Sequence, residues 1–138
     1  IGKGHALERF ARVIAAQGGD ARVVEDYSRL PGAQYQDSVV APEEGFVAGL
    51  QARVLGCASM LLGAGRERLD SAIDPAVGLV LEKKVGDPVS VGARICGLYA
   101  NDRVRLAQAH TMVRSAIAIS PEPVAPTPLI LGRVPDLS

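Results

Sequence analysis

At 138 residues, 48% of them apolar, the chain is long enough to fold around a core without disulfide or metal staples. Lys plus Arg equal Asp plus Glu at 15 each, Trp is absent and aromatic residues make up only 4%, so neither a basic patch nor a base-stacking surface is available and nucleic acid is excluded as a partner. No apolar run approaches the roughly 20 residues that cross a bilayer, which excludes a membrane partner and leads to the expectation of a cytoplasmic protein with an aliphatic core.

In chain order, Leu7, Phe10, Ala11 and Ile14 recur at spacings of three and four, which predicts an amphipathic helix from Gly4 to Gln17 ended by Gly18-Gly19. Asp20 has the side chain to cap a short helical turn over Ala21 to Glu25, and Leu30-Pro31-Gly32 breaks the chain again. The first thirty residues are therefore read as helical, and from 31 onward the texture changes to short β-like runs. Strands are expected at Ser38 to Ala41 and Phe46 to Leu50, joined by the tight-turn segment Pro42-Glu43-Glu44-Gly45. Val54, Leu55, Ala58, Leu61 and Leu62 give a helix over Ala52 to Leu62 a broad apolar face, so that helix should be largely buried, with Gly63 ending it.

Val77 to Leu81 reads as a buried strand. Val85 to Gly92 alternates apolar residues with turn formers and predicts a hairpin, with Ile95 to Tyr99 as the returning strand. Asn101 is the expected cap of a third helix reaching Ala116, on which Leu106, Ala109, Val113 and Ala116 share a face. Ile117 to Ile119 is a closing strand, and the tail with Pro121, Pro123, Pro126 and Pro128 runs extended, leaving Leu129 to Leu131 able to pair at an edge. Strands separated by helices with an antiparallel hairpin give a mixed α+β class and argue against a doubly wound sheet.

The residues that could carry chemistry are few. In Gly63-Ala64-Gly65-Arg66 an arginine follows a glycine-rich turn, but phosphate loops sit at helix N-termini and this motif follows a helix C-terminus, so it reads as a helix cap. Arg66 is the one candidate substrate-binding residue, able to reach an anion held elsewhere. Asp70, Ser71 and Asp74 precede Pro75 and read as turn and cap residues. His5 and His110 lack the neighbours that define a triad or ligand set, and Lys83-Lys84 is a solvated pair before a turn. Cys57 and Cys96 lack the spacing of a zinc or redox site and read as two reduced core thiols. No catalytic residue, metal ligand or cofactor site is assigned.

Ordered blocks across the chain nevertheless carry a resemblance: Ala15-Ala16-Gln17-Gly18-Gly19-Asp20, Leu30-Pro31 with Ala33, Gly45-Phe46-Val47, Met60 to Arg66, Ile73-Asp74, Ala76-Val77-Gly78-Leu79, Lys84 to Val89 with Gly92, Tyr99-Ala100-Asn101, Ile119-Ser120 and Pro126-Thr127-Pro128. Together they resemble the C-terminal portion of pyrimidine-nucleoside and thymidine phosphorylases. The resemblance implies an α/β-hammerhead fold, related to the barrel-sandwich of biotinyl and lipoyl carriers, with an N-terminal helical segment and a Pro-rich extended tail. It also implies a parent enzyme that uses phosphate and pyrimidine nucleosides as a homodimer, with no cofactor. The parent's substrate-binding residues belong to its earlier domains, so none is carried onto this numbering. The start at Ile1 without an initiator methionine is compatible with a processed product, an incomplete chain or a fragment. The resemblance, which is to the final third of a longer enzyme, leads to the expectation of a fragment possessing no activity alone and compatible with a monomer, with residues 1–30 as the helical connection from the upstream domains and 31–138 as the hammerhead domain. Two alternatives stand beside it: a separate hammerhead binding or carrier module using the Val85 to Gly92 hairpin, although no lysine sits between small apolar residues at its tip, and the same domain of a thymidine-specific or AMP phosphorylase.

Overall fold

The computed structural model describes residues 4–66, 70, 72–126, 128, 130 and 132, and the chain divides into two units, Ile1–Gly32 and Ala33–Ser138. In the first unit, α1 (His5–Ala16) starts at Gly4 in the left-handed region, φ 74°, and ends as expected before Gly18-Gly19. None of its residues is buried; Leu7, Phe10 and Val13 are 50%, 57% and 51% exposed. Asp20 caps the short turn Ala21–Val24, as its position in the sequence indicates, accepting from the Arg22 backbone N–H at 3.0 Å. Its carboxylate is also gripped by the Arg22 guanidinium through two contacts of 2.8 Å, which hold the Asp20 carboxyl well below the usual carboxylate range. A further turn, Tyr27–Arg29, carries no apolar periodicity and is made by Asp26 accepting from Ser28 N–H at 3.1 Å.

The second unit contains α2 (Ala52–Ser59), α3 (Arg103–Ser115) and six strands: β1 (Tyr35–Val40), β2 (Gly45–Leu50), β3 (Gly78–Leu81), β4 (Pro88–Val89), β5 (Arg94–Ala100) and β6 (Ile117–Ser120). They form two antiparallel three-stranded sheets, ordered β1-β5-β3 and β4-β2-β6. The α+β class expected from the sequence is the one observed. β5 is the only strand of the first sheet paired on both edges, and its residues 95–98 are all buried, which is why it reads as an almost continuous apolar run.

The expected hairpin is corrected in its pairing. β5 does return antiparallel, but its partner is β3, with Gly78 opposite Tyr99 and Leu81 opposite Cys96. The Val85 to Gly92 segment instead crosses to the other sheet, where Val89 and Pro88 pair with Gly45 and Phe46 of β2. Alternation of apolar and turn residues there marks two successive turns, Lys84 to Asp87 and Ser90 to Ala93, each closed by a backbone hydrogen bond. Likewise the Pro42 to Gly45 turn passes the chain from one sheet to the other, since β1 and β2 are never paired. β1 begins three residues before the expected Ser38, because its polar start is held by the ladder to β5 with Tyr35 opposite Ala100.

Two bulges shape this arrangement. An extra residue of β5, Ile95, lies at the step from Val39 to Val40, and an extra residue of β2, Ala48, lies between Val47 and Gly49. Strand alternation points Ile95 away from Cys96, Leu98 and Ala100 and into a second core. That second core is Ala41, Val47, Val89 and Ile95. The main core joins Cys96, Leu98 and Ala100 to Leu55, Ala58 and Leu62 of the α2 region and to Ala109, Val113 and Ala116 of the α3 region, with Leu50 and Ile117 packed against both cores.

α2 is less buried than its sequence suggests. Leu55, Ala58 and Leu62 face the core, whereas Arg53, Gly56, Cys57 and Met60 are exposed. The expectation of two core thiols therefore holds for Cys96, whose burial pushes its thiol up, and fails for Cys57, which lies on the solvent side of the helix. Both cysteines are free. The helix finishes in a widened turn, Met60–Ala64, where Gly63 takes φ 106° as its terminating role requires.

α3 is capped by Asp102, not by Asn101 as the sequence reading has it: Asp102 accepts from Val104 N–H at 2.7 Å and Arg105 N–H at 3.0 Å. Hydrogen bonds from the Arg105 and Val104 backbone hold its carboxyl below the usual range. The sign of the linkage follows. A depressed native value contributes stability that is complete above the unfolded value and is lost as pH falls through the native one. Asp102→Asn is therefore expected to reduce the drop in urea midpoint between pH 7 and pH 3 relative to the parent chain, and an unchanged drop would show that the cap does not titrate with folding. Among the described residues, 121–126 continue past β6 without helix or strand, in keeping with their prolines. The expected edge pairing of Leu129 to Leu131 falls on positions 129 and 131, outside the described residues.

Candidate functional site

The Gly63-Ala64-Gly65-Arg66 motif lies at the C-terminal end of α2, where helix carbonyls point outward, so it cannot cradle an anion through backbone N–H groups. Gly63 instead offers its carbonyl to Asp74 N–H at 3.0 Å. Asp74 is a junction. One carboxylate oxygen accepts from Ala76 N–H at 2.9 Å, the turn role expected of it, and the other accepts from Asn101 Nδ2 at 2.7 Å. Asn101 Oδ1 in turn accepts from Gln34 N–H at 2.8 Å.

These bonds tie the end of α2, the approach to β3, the start of β1 and the approach to α3 into one network. Asn101 is thus a crosslink and Asp102 the cap, a division of labour that two adjacent cap-competent residues do not reveal in sequence. Near the same junction, the Arg103 guanidinium lies 4.7 Å from the Tyr35 ring centre, fastening the first turn of α3 to β1. Arg66 is exposed beyond this network, and Asp70 is exposed as well, while Ser71 lies outside the described residues. The Asp70, Ser71 and Asp74 cluster therefore serves structure through Asp74.

Of the remaining candidates, His5 is exposed on α1, Lys83 is half-buried and Lys84 exposed. Lys84 uses its backbone N–H, bonded at 2.7 Å to Asp87 Oδ2, to close the turn before β4. His110 is half-buried on α3, one turn before Arg114, and both line a cleft of about 450 Å³. The i, i+4 spacing of His110 and Arg114 is the available sequence signal for this shared face. Among the described residues, no three His, Cys, Asp or Glu side chains gather as a metal site would need, and no helix is long and apolar enough to cross a membrane.

Comparison with known proteins assigns this framework. Residues 46–120, from β2 through β6, match the model of the pyrimidine nucleoside phosphorylase C-terminal domain. The chain is 44% identical over 131 residues to a pyrimidine-nucleoside phosphorylase of Geobacillus stearothermophilus, an alignment covering 95% of this chain and 30% of that protein. It is 46% identical over 123 residues to the Bacillus subtilis enzyme of the same name, covering 89% of this chain and 28% of the relative. A Staphylococcus aureus pyrimidine-nucleoside phosphorylase is 42% identical over 127 residues, 92% of this chain and 29% of its own length. The chain thus spans about three-tenths of the length of these relatives. The resemblance drawn from the ordered blocks is borne out, and the chain belongs to the pyrimidine nucleoside phosphorylase C-terminal domain family.

Proposed function

We propose that this chain serves as the C-terminal domain of an enzyme that splits pyrimidine nucleosides with phosphate into free base and pentose 1-phosphate, and that it forms a wall of the closing domain without performing the chemistry. The observation that carries the reading is the alignment of 95% of this chain with only 30% of a pyrimidine-nucleoside phosphorylase. A second physical point supports the non-catalytic role. Phosphorolysis needs donors aimed at phosphate and at the departing base, and the one glycine-rich motif here presents carbonyls at its helix end. The two linked sheets with α2 and α3 packed on the first of them are named here as the α/β-hammerhead. Residues 1–30 act as the connection to the catalytic part, and the exposed Leu7, Phe10 and Val13 stripe packs against that part. The enzyme is homodimeric, with its contact surface outside this chain.

Arg66 is assigned as the residue that reaches the anion from this side, since it is exposed and free of the Asp74–Asn101 network. Uracil release from uridine and phosphate is the test. The 138-residue chain is expected to release none, whereas the full-length enzyme is active and its Arg66→Ala variant shows a KM for phosphate raised several-fold. Turnover by the chain alone would overturn the non-catalytic role, and an unchanged KM would remove Arg66 from the site.

A further inference from the structure

The 450 Å³ cleft is separate from Arg66 and from the Asp74–Asn101 network, and its chemistry is not that of a phosphate cradle. Its walls come from β1, the turn that follows, β5, α3 and β6. The volume lies within the range of small-molecule sites, about 300–1,000 Å³. The half-buried Ile117 and Ile119 supply aliphatic surface, the lining's Ile95 being fully buried, and the lining holds no Phe, Tyr or Trp ring on which a flat heterocycle could stack. Two cationic or donor side chains, His110 and Arg114, project into it from successive turns of α3, and Ser38 of β1 adds a hydroxyl.

Glu43, from the turn after β1, is the acidic group of the lining. Among the described residues, Glu43 forms no ion pair with Arg114 or His110, and none of these three side chains is engaged in a hydrogen bond. The lining therefore presents an acidic and a basic side chain that, among the described residues, are not ion-paired with each other. An Arg guanidinium is a forked donor that matches a carboxylate in two bonds, and His110 and Ser38 can complete the donor set. A phosphate dianion would suit these donors too, but it would also bring extra negative charge toward Glu43 and leave the isoleucine surface wet.

We propose that this cleft binds a small monocarboxylate with a short aliphatic body, its carboxylate on Arg114, His110 and Ser38 and its body on the isoleucines. Two sources share that chemistry, an aliphatic α-amino acid and the corresponding 2-oxo acid. Glu43 distinguishes them, because only the amino acid offers it an ammonium.

The test is backbone amide NMR on the 138-residue chain, titrated separately with leucine, 4-methyl-2-oxopentanoate and inorganic phosphate. Saturable shifts are expected at residues 38–43, 95 and 110–119 with either carboxylate, weakened about tenfold or more by Arg114→Gln, the loss expected when a charge-assisted pair is removed. Arg114 is exposed, so its amide dispersion serves as a check that the variant remains folded. Glu43→Gln weakening leucine alone identifies the amino acid as the ligand, and tighter binding of 4-methyl-2-oxopentanoate than of leucine, unaffected by Glu43→Gln, identifies the oxo acid class. Absence of saturable shifts, indifference to Arg114→Gln, or phosphate binding as tightly as the carboxylates would each overturn the proposal.

Discussion

Replacing Leu98 with alanine is expected to destabilise the second unit by about 2–5 kcal/mol, the range for truncating a fully buried leucine. Leu98 has 0% exposure and lies in the middle of β5, in the cluster that joins the first sheet to α2 and α3. Its paired neighbours are Asp37 of β1 and Leu79 of β3, so the strand is locked on both edges and cannot slide to close the void. The residual cavity adds its own cost to the lost transfer free energy. Val80, one step along β3 and 49% exposed, is the control. Val80→Ala should shift the urea midpoint little while Leu98→Ala lowers it sharply at unchanged slope, and equal shifts would show that the core is not where the packing puts it.

The second large effect is expected from Gly45→Ala, which concerns the other sheet. Gly45 is buried at the start of β2, opposite Val89 of β4, and a Cβ there would strike the Ser120 carbonyl oxygen and approach its carbon to 3.1 Å. The obstacle is backbone of β6, not the far end of a side chain, so relief requires the β2–β6 ladder to part. A cost of about 1–3 kcal/mol is expected from such overpacking, the opposite sign to the gain that Gly→Ala gives where the backbone has room. Gly56, on the exposed side of α2 with no atom within 4 Å of a built Cβ, provides the contrast. Gly56→Ala should stabilise by up to about 1 kcal/mol through helix propensity. If thermal or urea denaturation ranks the two alanines together, the close approach of β6 to Gly45 is not a real constraint.

These expectations depend on unequal contributions from sequence and structure. α1, α2 and α3 were readable because each places apolar residues at helical spacing, and Gly18, Gly63 and the Asn101-Asp102 pair punctuate them. The strand regions β2, β3, β5 and β6 are readable from short aliphatic runs, but the expectation that β3 is buried fails, because β3 lies at a sheet edge with Val80 and Leu81 exposed. The burial of α2 was overestimated because a run such as Val54-Leu55 with Leu61-Leu62 signals apolarity without saying how much of the helix circumference is covered, and Cys57 was misplaced for the same reason. Asn101 and Asp102 are equally capable caps in sequence. Their roles separated only when Asp74 and Gln34, distant in the chain, arrived beside Asn101.

The sequence by itself determined the α+β class, the apolar faces of the helices and, through blocks spread from Ala15 to Pro128, the family to which the chain belongs. Those features are local or ordered along the chain, and period and turn chemistry are set by neighbouring residues. Only the tertiary structure decided that β5 returns onto β3 while β4 crosses to β2, that Ile95 joins Ala41, Val47 and Val89 in a second core, and that Ser38, Glu43, His110 and Arg114 meet at one cleft. The physical reason is that alternation identifies which face of a strand is buried but not its partner. Pairing is chosen by the joint burial of segments far apart in sequence, and a cleft is the space their packing leaves unfilled.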